Sequence, residues 1–542
     1  MKIFYFYKSI SALNNRSICE AAICKINECL CIKKITVACF VLLVMLSPSC
    51  SLNTEPEDFI APQLYYNNET ECEMALTAIY DRMNYQVANW LSTNFDTADE
   101  IWAYGTLGTY INYFYSSDGN VSSFWAILYE GIERSNMLLA NIDKTEMDET
   151  QKNRIKGEAK FLRAYYYFML VQNWGDVPLK TKPTASASDV YYARTPASEV
   201  YDFIYNEMVE AEKMVRAISD FTYSERVTQS AIQGILARVC LYMAGFPNNK
   251  TEKFNDALMW SEKLIQSGLH SLNPSYSQVF INLIQDKYDT KESIWEIGFR
   301  TTGLTDSYAE YGEMGNTNGI PQNTLAYGMA TGSFSSQYQL WKKYTPGDIR
   351  RDWAISPFYY QGTNTLNKVY HDTTKVISNR SIGKYRREYE LTPAESKQKR
   401  ANGTNYPILR YSDVLLMAAE AENEVNGPTV KALQYLNEVR LRAHAPIYTA
   451  VSGKEEFRLI IQDERSRELC FEGLRKMDLK RWGVMIPVMK NLAAFIRQTE
   501  TNTTMITRSA LACDNVSEQH YYFPIPVREM NLNKLLTQNP GW

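Results

Sequence analysis

EAKFLRAYYYFMLVQNWGDVPLK, residues Glu158 to Lys180, decides the fold. From about Asp148 the pattern is helical: Ile155, Ala159, Leu162, Tyr166 and Met169 recur at spacings of three and four and share one face. Phe161, Tyr165 and Phe168 make a second stripe, and Tyr167 and Leu170 a third. A helix that is apolar on every side is buried among other helices. Gly175 supplies a C-terminal stop after Trp174, and Pro178 prevents the helix from resuming. The stretch therefore reads as the central helix of a large helical body, ended by a sharp turn.

On its N-terminal side, Glu69 to Val87 and Val121 to Ile142 carry apolar residues in helical register, separated by a loop-like aromatic stretch from Trp90 to Ser123. On its C-terminal side, Pro196–Ala217, Gln229–Gly245 and Phe254–Ser267 follow at short connections, which implies antiparallel neighbours. Gly234, Ala237 and Tyr242, then Phe254, Ala257-Leu258 and Leu264, resemble the two helices of a tetratricopeptide unit, without a strict period. The fold class expected is predominantly α, a degenerate tetratricopeptide-like scaffold with a loop-rich, mixed ligand-binding region.

Helical periodicity fades between residues 271 and 406, where Gly, Asn, Thr, Ser and Tyr dominate. Ser293–Phe299 alternates like a short strand, and Tyr338 to Asp352 reads as a helix and turn. A long irregular segment rich in aromatics is a functional one rather than a disordered one. Pro407 to Asn426 then reads as a helix stopped by Gly427-Pro428, with Thr429 to Arg442 as its antiparallel partner. Gln462 to Trp482 is densely charged. Glu464, Arg467, Glu468, Glu472, Arg475, Asp478 and Arg481 fall at spacings suited to ion pairs along one helix, a network tying that helix to the scaffold.

Four of these stretches carry recognisable text: E-x-x-F-L-R-A-x-Y-Y-F-x-L with W-G-D-V-P-L; P-I-L-R-Y-S-D-V-L-L-M-A-A-E-A; E-R-S-R-E-L-C-F-E-G-L-R-K-M-D-L-K-R-W; and P-I-P with a terminal Q-N-P-G. Together they resemble the SusD/RagB family, surface lipoproteins of Bacteroidetes that capture nutrients for outer-membrane importers. The resemblance implies a tetratricopeptide-like scaffold, a SusC-like TonB-dependent transporter as partner, and an oligosaccharide as ligand. Peptide or glycopeptide capture on the same scaffold is the alternative.

Residues 33–50, KKITVACFVLLVMLSPSC, have two lysines, a short apolar run and small residues, a secretory signal too short to span a membrane. Its ending resembles a lipobox, which makes Cys50 the lipidated residue and the outer membrane its anchor. The acids Glu55, Glu57 and Asp58 follow at once, like the surface-export signal of Bacteroidetes lipoproteins. The organisation expected is a leader over 1–49, a lipidated N-terminus and tether over 50–68, and a SusD-like domain over 69–542. Within that domain the helical scaffold spans about 69–270 and 407–542, and the variable region about 271–406.

Composition excludes several functions. The chain has 542 residues and a formal net charge of −4; the basic leader leaves a mildly acidic body, so nucleic acid is not the expected partner. Cys72, Cys240, Cys470 and Cys513 show no paired spacing, and Cys240 and Cys470 sit in apolar helical text as buried hydrophobes. His270, His371, His444 and His520 have no metal-ligand spacing, and no nucleophile elbow or phosphate-binding loop appears. No cofactor, metal or catalytic residue is expected, and the adjacent Asp99-Glu100 is a poor glycosidase pair.

A glycan receptor needs exposed rings interleaved with polar side chains on loops, because sugar C–H faces stack on aromatics while hydroxyls seek amides and carboxylates. Two stretches have that composition, and the resemblance draws the ligand platform from the same two regions. The first holds Asp99, Trp102 and Tyr104; the second holds Tyr308, Tyr311, Asn323 and Tyr327.

Overall fold

The computed structural model describes residues 65–83, 98–103, 119–186, 189–299, 311–362, 367–376, 379–392 and 401–542. Cys50, Tyr104 and Tyr308 lie outside them, as do the leader and the tether up to residue 64. Residues 66–542 form one compact unit, predominantly α-helical with a few short strands. Among the described residues no helix is long and apolar enough to cross a membrane.

Among the described residues the first half contains α1 (Glu69–Tyr80), α2 (Gly119–Asn141), α3 (Glu149–Trp174), α4 (Ala197–Glu212), α5 (Gln229–Ala244) and α6 (Lys253–Gln266). The central helix is α3. Asp148 caps it by accepting from the Gln151 amide at 3.0 Å. Gly175, at φ +70, closes it with an N–H to the Val171 carbonyl. Its three apolar stripes are buried against α1, α2 and α4 and against Trp295, as helices apolar all round must be. Close approach depends on Gly131 of α2, where a Cβ would stand 2.4 Å from the Tyr166 ring. That ring is held in place, since its hydroxyl donates to the Ile79 carbonyl of α1 at 2.7 Å.

Two motifs far apart in sequence close on each other. Trp174 Nε1 donates to the Pro524 carbonyl at 3.0 Å, and the Phe523 amide to the Asn173 carbonyl at 2.8 Å. Asn539 Nδ2 donates to the carbonyls of Trp174 at 3.0 Å and Phe523 at 2.7 Å. Gln538 pairs both ways with the Ile525 backbone, at 2.6 and 3.0 Å. The end of the signature helix, the P-I-P turn and the Q-N-P-G terminus are thus one hydrogen-bonded knot.

The variable region contains α7 (Tyr276–Ile284), β2 (Ser293–Ile297), β3 (Phe334–Ser336), α8 (Tyr338–Lys343), β4 (Phe358–Gln361), β5 (Asn367–Tyr370) and β6 (Arg380–Ser381). Strand β1 (Ile101–Ala103) pairs antiparallel with β3, Trp102 opposite Ser335, and β3 pairs with β6, Ser336 opposite Arg380. Strands β4 and β5 form a separate hairpin.

Two sequence expectations are corrected in the second half. Residues 407–410 do not begin a helix; Tyr406–Arg410 is strand β7, antiparallel to β2 with Trp295 opposite Leu409. Pro407 lacks an amide proton, and the ladder shifts register between Trp295 and Glu296, the residue opposite it. Helix α9 starts at Tyr411 and runs to Asn426, followed by α10 (Val430–Arg442). Nor is 462–482 one helix. It is the end of α11 (Lys454–Leu469), a break with Phe471 at φ +64 and Gly473 at φ +78, then α12 (Arg475–Arg481), ahead of α13 (Met485–Thr499).

The charges of that segment do tie it to the scaffold, mostly through distant partners. Arg410 of β7 reaches Glu292 at 2.8 Å, Glu468 at 3.1 Å and Glu472 at 2.8 Å. Arg350 reaches Asp348 at 2.7 Å, Glu464 at 2.7 Å and Glu468 at 3.1 Å, and Arg442 reaches Glu468 at 2.6 Å. Arg465 bridges Asp413 at 2.6 Å and Asp478 at 2.8 Å. All these groups are buried. Burial alone would raise the Glu464 and Asp413 carboxyls, yet the guanidiniums around them hold both at about 2.

Candidate ligand-binding face

The first expected platform stretch is scaffold in this structure. Asp99 is 3 % exposed, and both its oxygens are taken by Arg475, at 2.7 Å from Nε and 2.9 Å from Nη2. Burial opposes its ionisation, but Arg475 holds it at about 2. Trp102 is 6 % exposed within the β1–β3 pair. Both placements correct the expectation of ligand contact, since a buried ring and a doubly paired carboxylate have no free face to offer. Glu100 accepts from Ser466 Oγ at 2.7 Å, and burial pushes its carboxyl up to about 7, with Arg475 offsetting and Asp99 adding. Neighbouring carboxyls of unlike acidity are what acid–base catalysis uses. Here Asp99 is committed through both oxygens to Arg475, which leaves no free carboxylate to work beside Glu100.

The second stretch behaves differently. Tyr311 is half-buried at a two-way backbone bridge between Gly312 and Asn402, and Asn323 is exposed. Tyr327 is half-buried and stacks on Tyr360 of β4, with ring centroids 5.7 Å apart and planes 22° apart. Tyr360 is fixed in turn: its hydroxyl donates to Glu388 Oε2 at 2.8 Å, and Lys368 Nζ reaches the same oxygen at 2.8 Å. Burial, with the Glu388 charge, drives the Tyr360 phenol well above its ordinary pKa, so it stays a hydrogen-bond donor. Gly328, at φ +76, lets the Tyr327 loop pass against the Arg387 guanidinium, where a Cβ would stand 2.7 Å away. Arg387 is itself clamped by Glu390 at 2.6 and 3.1 Å and donates to the Ala401 carbonyl at 3.1 Å. Tyr327 therefore rests on a braced support.

The β4–β5 hairpin adds rings that the sequence reading did not single out. Register puts Phe358, Tyr360, Lys368 and Tyr370 on one face and Tyr359 and Val369 on the other. Tyr370 is 68 % exposed and Tyr359 is exposed as well. The signal was present in F-Y-Y-Q and N-K-V-Y, two short runs with aromatic and β-branched residues on either side of Gly362. Flat ring faces beside amides and an ammonium suit a ligand with apolar faces and many hydroxyls.

Among the described residues no group of His, Cys, Asp or Glu is gathered to hold a metal ion. Cys72, Cys240, Cys470 and Cys513 are buried free thiols, and burial pushes Cys470 and Cys513 up to about 12, far from a reactive thiolate.

Comparison with known proteins agrees with this architecture. Residues 272–542 match the model of the SusD family, and residues 60–241 match one described as "Starch-binding associating with outer membrane". A SusD-like protein of Formosa agariphila is 26 % identical over 92 % of this chain and 97 % of its own length. The starch-binding protein SusD of Bacteroides thetaiotaomicron is 24 % identical over 74 % of this chain and 75 % of its own. A crystal structure of a SusD homologue from the same organism superposes with a TM-score of 0.82 at 27 % identity, covering 90 % of this chain and 99 % of that one. A laminarin-binding SusD-like protein shares the fold at a TM-score of 0.67 and 23 % identity, over 88 % of this chain and all of that one. With the central helix, the C-terminal knot and both family models agreeing, the chain belongs to the SusD/RagB family, whose members are binding proteins and not enzymes.

Proposed function

We propose that this protein is a cell-surface lipoprotein that captures an oligosaccharide and hands it to a partner SusC-like TonB-dependent transporter in the outer membrane. The observation that carries the glycan reading is the Tyr327–Tyr360 stack, braced by Glu388 and Lys368 and set beside exposed Asn323. Starch and laminarin binding by similar proteins supports a saccharide as the ligand. Membrane attachment through Cys50 rests on the signal sequence, and the description of the second family model supports an outer-membrane location. A single acyl chain holds only marginally, so several chains on Cys50 together with the transporter would retain the protein.

A glycan array followed by calorimetry on the glycan it identifies tests this. Burying about 40–60 Å² of sugar C–H surface against a ring at ~25 cal/mol per Å² contributes about 1–1.5 kcal/mol, so Tyr327→Ala is expected to weaken binding about 5- to 12-fold with the fold unchanged by circular dichroism. Peptides retained while no glycan binds would overturn the saccharide reading. Unchanged affinity in both Tyr327→Ala and Tyr360→Ala would overturn the site.

A further inference from the structure

Arg380, in strand β6, is 1 % exposed, yet its Nε and Nη2 have no hydrogen-bond partner among the described residues. A buried guanidinium is almost always paired, because stripping its water without compensation costs several kcal/mol. Asp352, the carboxylate whose charge acts on it, is engaged elsewhere: its two oxygens take Arg351 Nε at 2.9 Å and Nη2 at 3.0 Å. What Arg380 does have is a ring. Its guanidinium lies 5.0 Å from the centroid of Trp341, and Arg351 lies 4.9 Å from the same centroid. A cation–π contact offsets part of the desolvation but satisfies none of the N–H groups.

More unused polar atoms surround it. Among the described residues, the buried donor Trp341 Nε1 and the buried His371 Nε2 have no hydrogen-bond partner. The His371 amide donates to the Pro357 carbonyl at 2.9 Å and the Ser356 amide to the Ser381 carbonyl at 2.9 Å, so His371 and the Arg380 strand meet at the same turn, and burial and then the charge of Arg380 lower the His371 pKa. His371 also packs on the exposed Tyr359, at 5.4 Å between centroids, so this cluster borders the aromatic hairpin. Two guanidiniums, an indole N–H and an imidazole, with one carboxylate already neutralised, form a cationic cluster short of an anion.

We propose that Arg380, with Trp341, Arg351 and His371, forms a subsite for an anionic substituent, a carboxylate or sulfate, on the bound saccharide, at the Tyr359 face of the hairpin whose other face carries the Tyr327–Tyr360 stack. This names the class of ligand and rests on the glycan reading above. An acidic sugar supplies what the cluster lacks: planar or tetrahedral oxygens for the guanidinium fork, carried on a ring that stacks on tyrosine.

The test compares D-glucose, D-glucuronate, D-glucose 6-sulfate and inorganic sulfate by calorimetry and thermal shift on wild type, Arg380→Met and Arg380→Lys. Wild type is expected to prefer the two acidic sugars over glucose about tenfold or more, a preference lost in Arg380→Met and reduced in Arg380→Lys, which keeps the charge without the fork. Without ligand, Arg380→Met is expected to melt at or above the wild-type temperature, because it removes an unpaired buried charge; a structural arginine would give the opposite. Neutral and acidic sugars bound equally by wild type, or a preference that survives in Arg380→Met, overturns the subsite and leaves the glycan reading standing. Sulfate protecting in an Arg380-dependent way while no sugar binds keeps the anion site and overturns the saccharide.

Discussion

Replacing Glu296 with glutamine tests how the core carries charge that it does not pair. Glu296 sits in β2, 2 % exposed, with its Oε1 lacking a partner and its Oε2 accepting only a 3.3 Å bond from Ser293 Oγ. Burial raises its carboxyl from 4.5 to about 8; the Ser293 bond works against that, and the charges of Glu225, Asp286 and Asp289 add to it. A carboxyl raised on folding contributes stability that is complete below its unfolded pKa and is lost as pH rises through its folded value. At about 1.4 kcal/mol per unit, the carboxyl costs roughly 3 kcal/mol at pH 7 and roughly 5 kcal/mol at pH 9. Glutamine mimics the protonated acid and removes that cost. An unfolding entropy of about 2.1 cal/mol/K per residue over roughly 480 residues gives ~1 kcal/mol per kelvin. Glu296→Gln is therefore expected to leave Tm unchanged at pH 4, raise it by about 3 °C at pH 7 and by about 5 °C at pH 9, read by calorimetry. A difference that does not grow with pH, or a lower Tm at pH 9, refutes the reasoning.

Other expectations concern the scaffold. Glu468 accepts from Arg350, Arg410 and Arg442; burial would raise its carboxyl, and these cations hold it well below the usual range. Glu468→Gln removes one charged partner from each of three guanidiniums, leaving Arg350 with Asp348 and Glu464, Arg410 with Glu292 and Glu472, and Arg442 with Glu292, and is expected to cost about 3–5 kcal/mol, lowering the calorimetric Tm by about 3–5 °C. Since the group is depressed on folding, that loss is complete above pH 4.5 and shrinks as pH falls toward the folded value; a deficit of equal size at pH 2 contradicts the pairing. Gly131→Ala puts a methyl 2.4 Å from a Tyr166 ring that is tied to Ile79, so a destabilisation of about 1–3 kcal/mol is expected in chemical denaturation. An unchanged midpoint would mean that α2 and α3 are free to separate.

The helical body was legible because its residues repeat at helical spacing and are buried where that spacing puts them, from Ile155 to Met169. Residues 407–410 were misread because P-I-L-R joins an apolar helix without an interruption, and only pairing with Ser293–Ile297 makes them part of a strand. The break in 462–482 was hidden by apolar and charged residues that continue in phase through Cys470 to Leu474; Gly473 was its one local sign. The binding face was legible only as composition. Asp99-Glu100-Ile101-Trp102 and the stretch around Tyr327 read alike, yet Arg475 and strand β3 bury the first and nothing equivalent buries the second. Those partners lie hundreds of residues away, so no window of sequence contains the difference.

The same long-range partners explain why so many charges are buried at all. A buried ion pair seldom stabilises more than a well-packed apolar substitute, but it is strongly directional, and removing one member is costly. Apolar side chains would leave β7, α10, α11 and the Arg350 turn free to slide over one another. Glu468 accepts from three guanidiniums on three of these segments, which leaves one geometry in which all are satisfied. The fixed geometry extends outward: Lys384, four residues after Arg380, is buried and bonded to Glu472 at 2.6 Å and to the Glu468 carbonyl at 3.0 Å. Strand β6 is thereby registered against the ionic core on one side, while Arg380 at its start meets Trp341. Short strands and irregular loops bury too little apolar surface to hold ring planes and guanidiniums still. The ionic core supplies that rigidity, so Glu468→Gln should disturb the loop-borne binding face as well as the melting temperature.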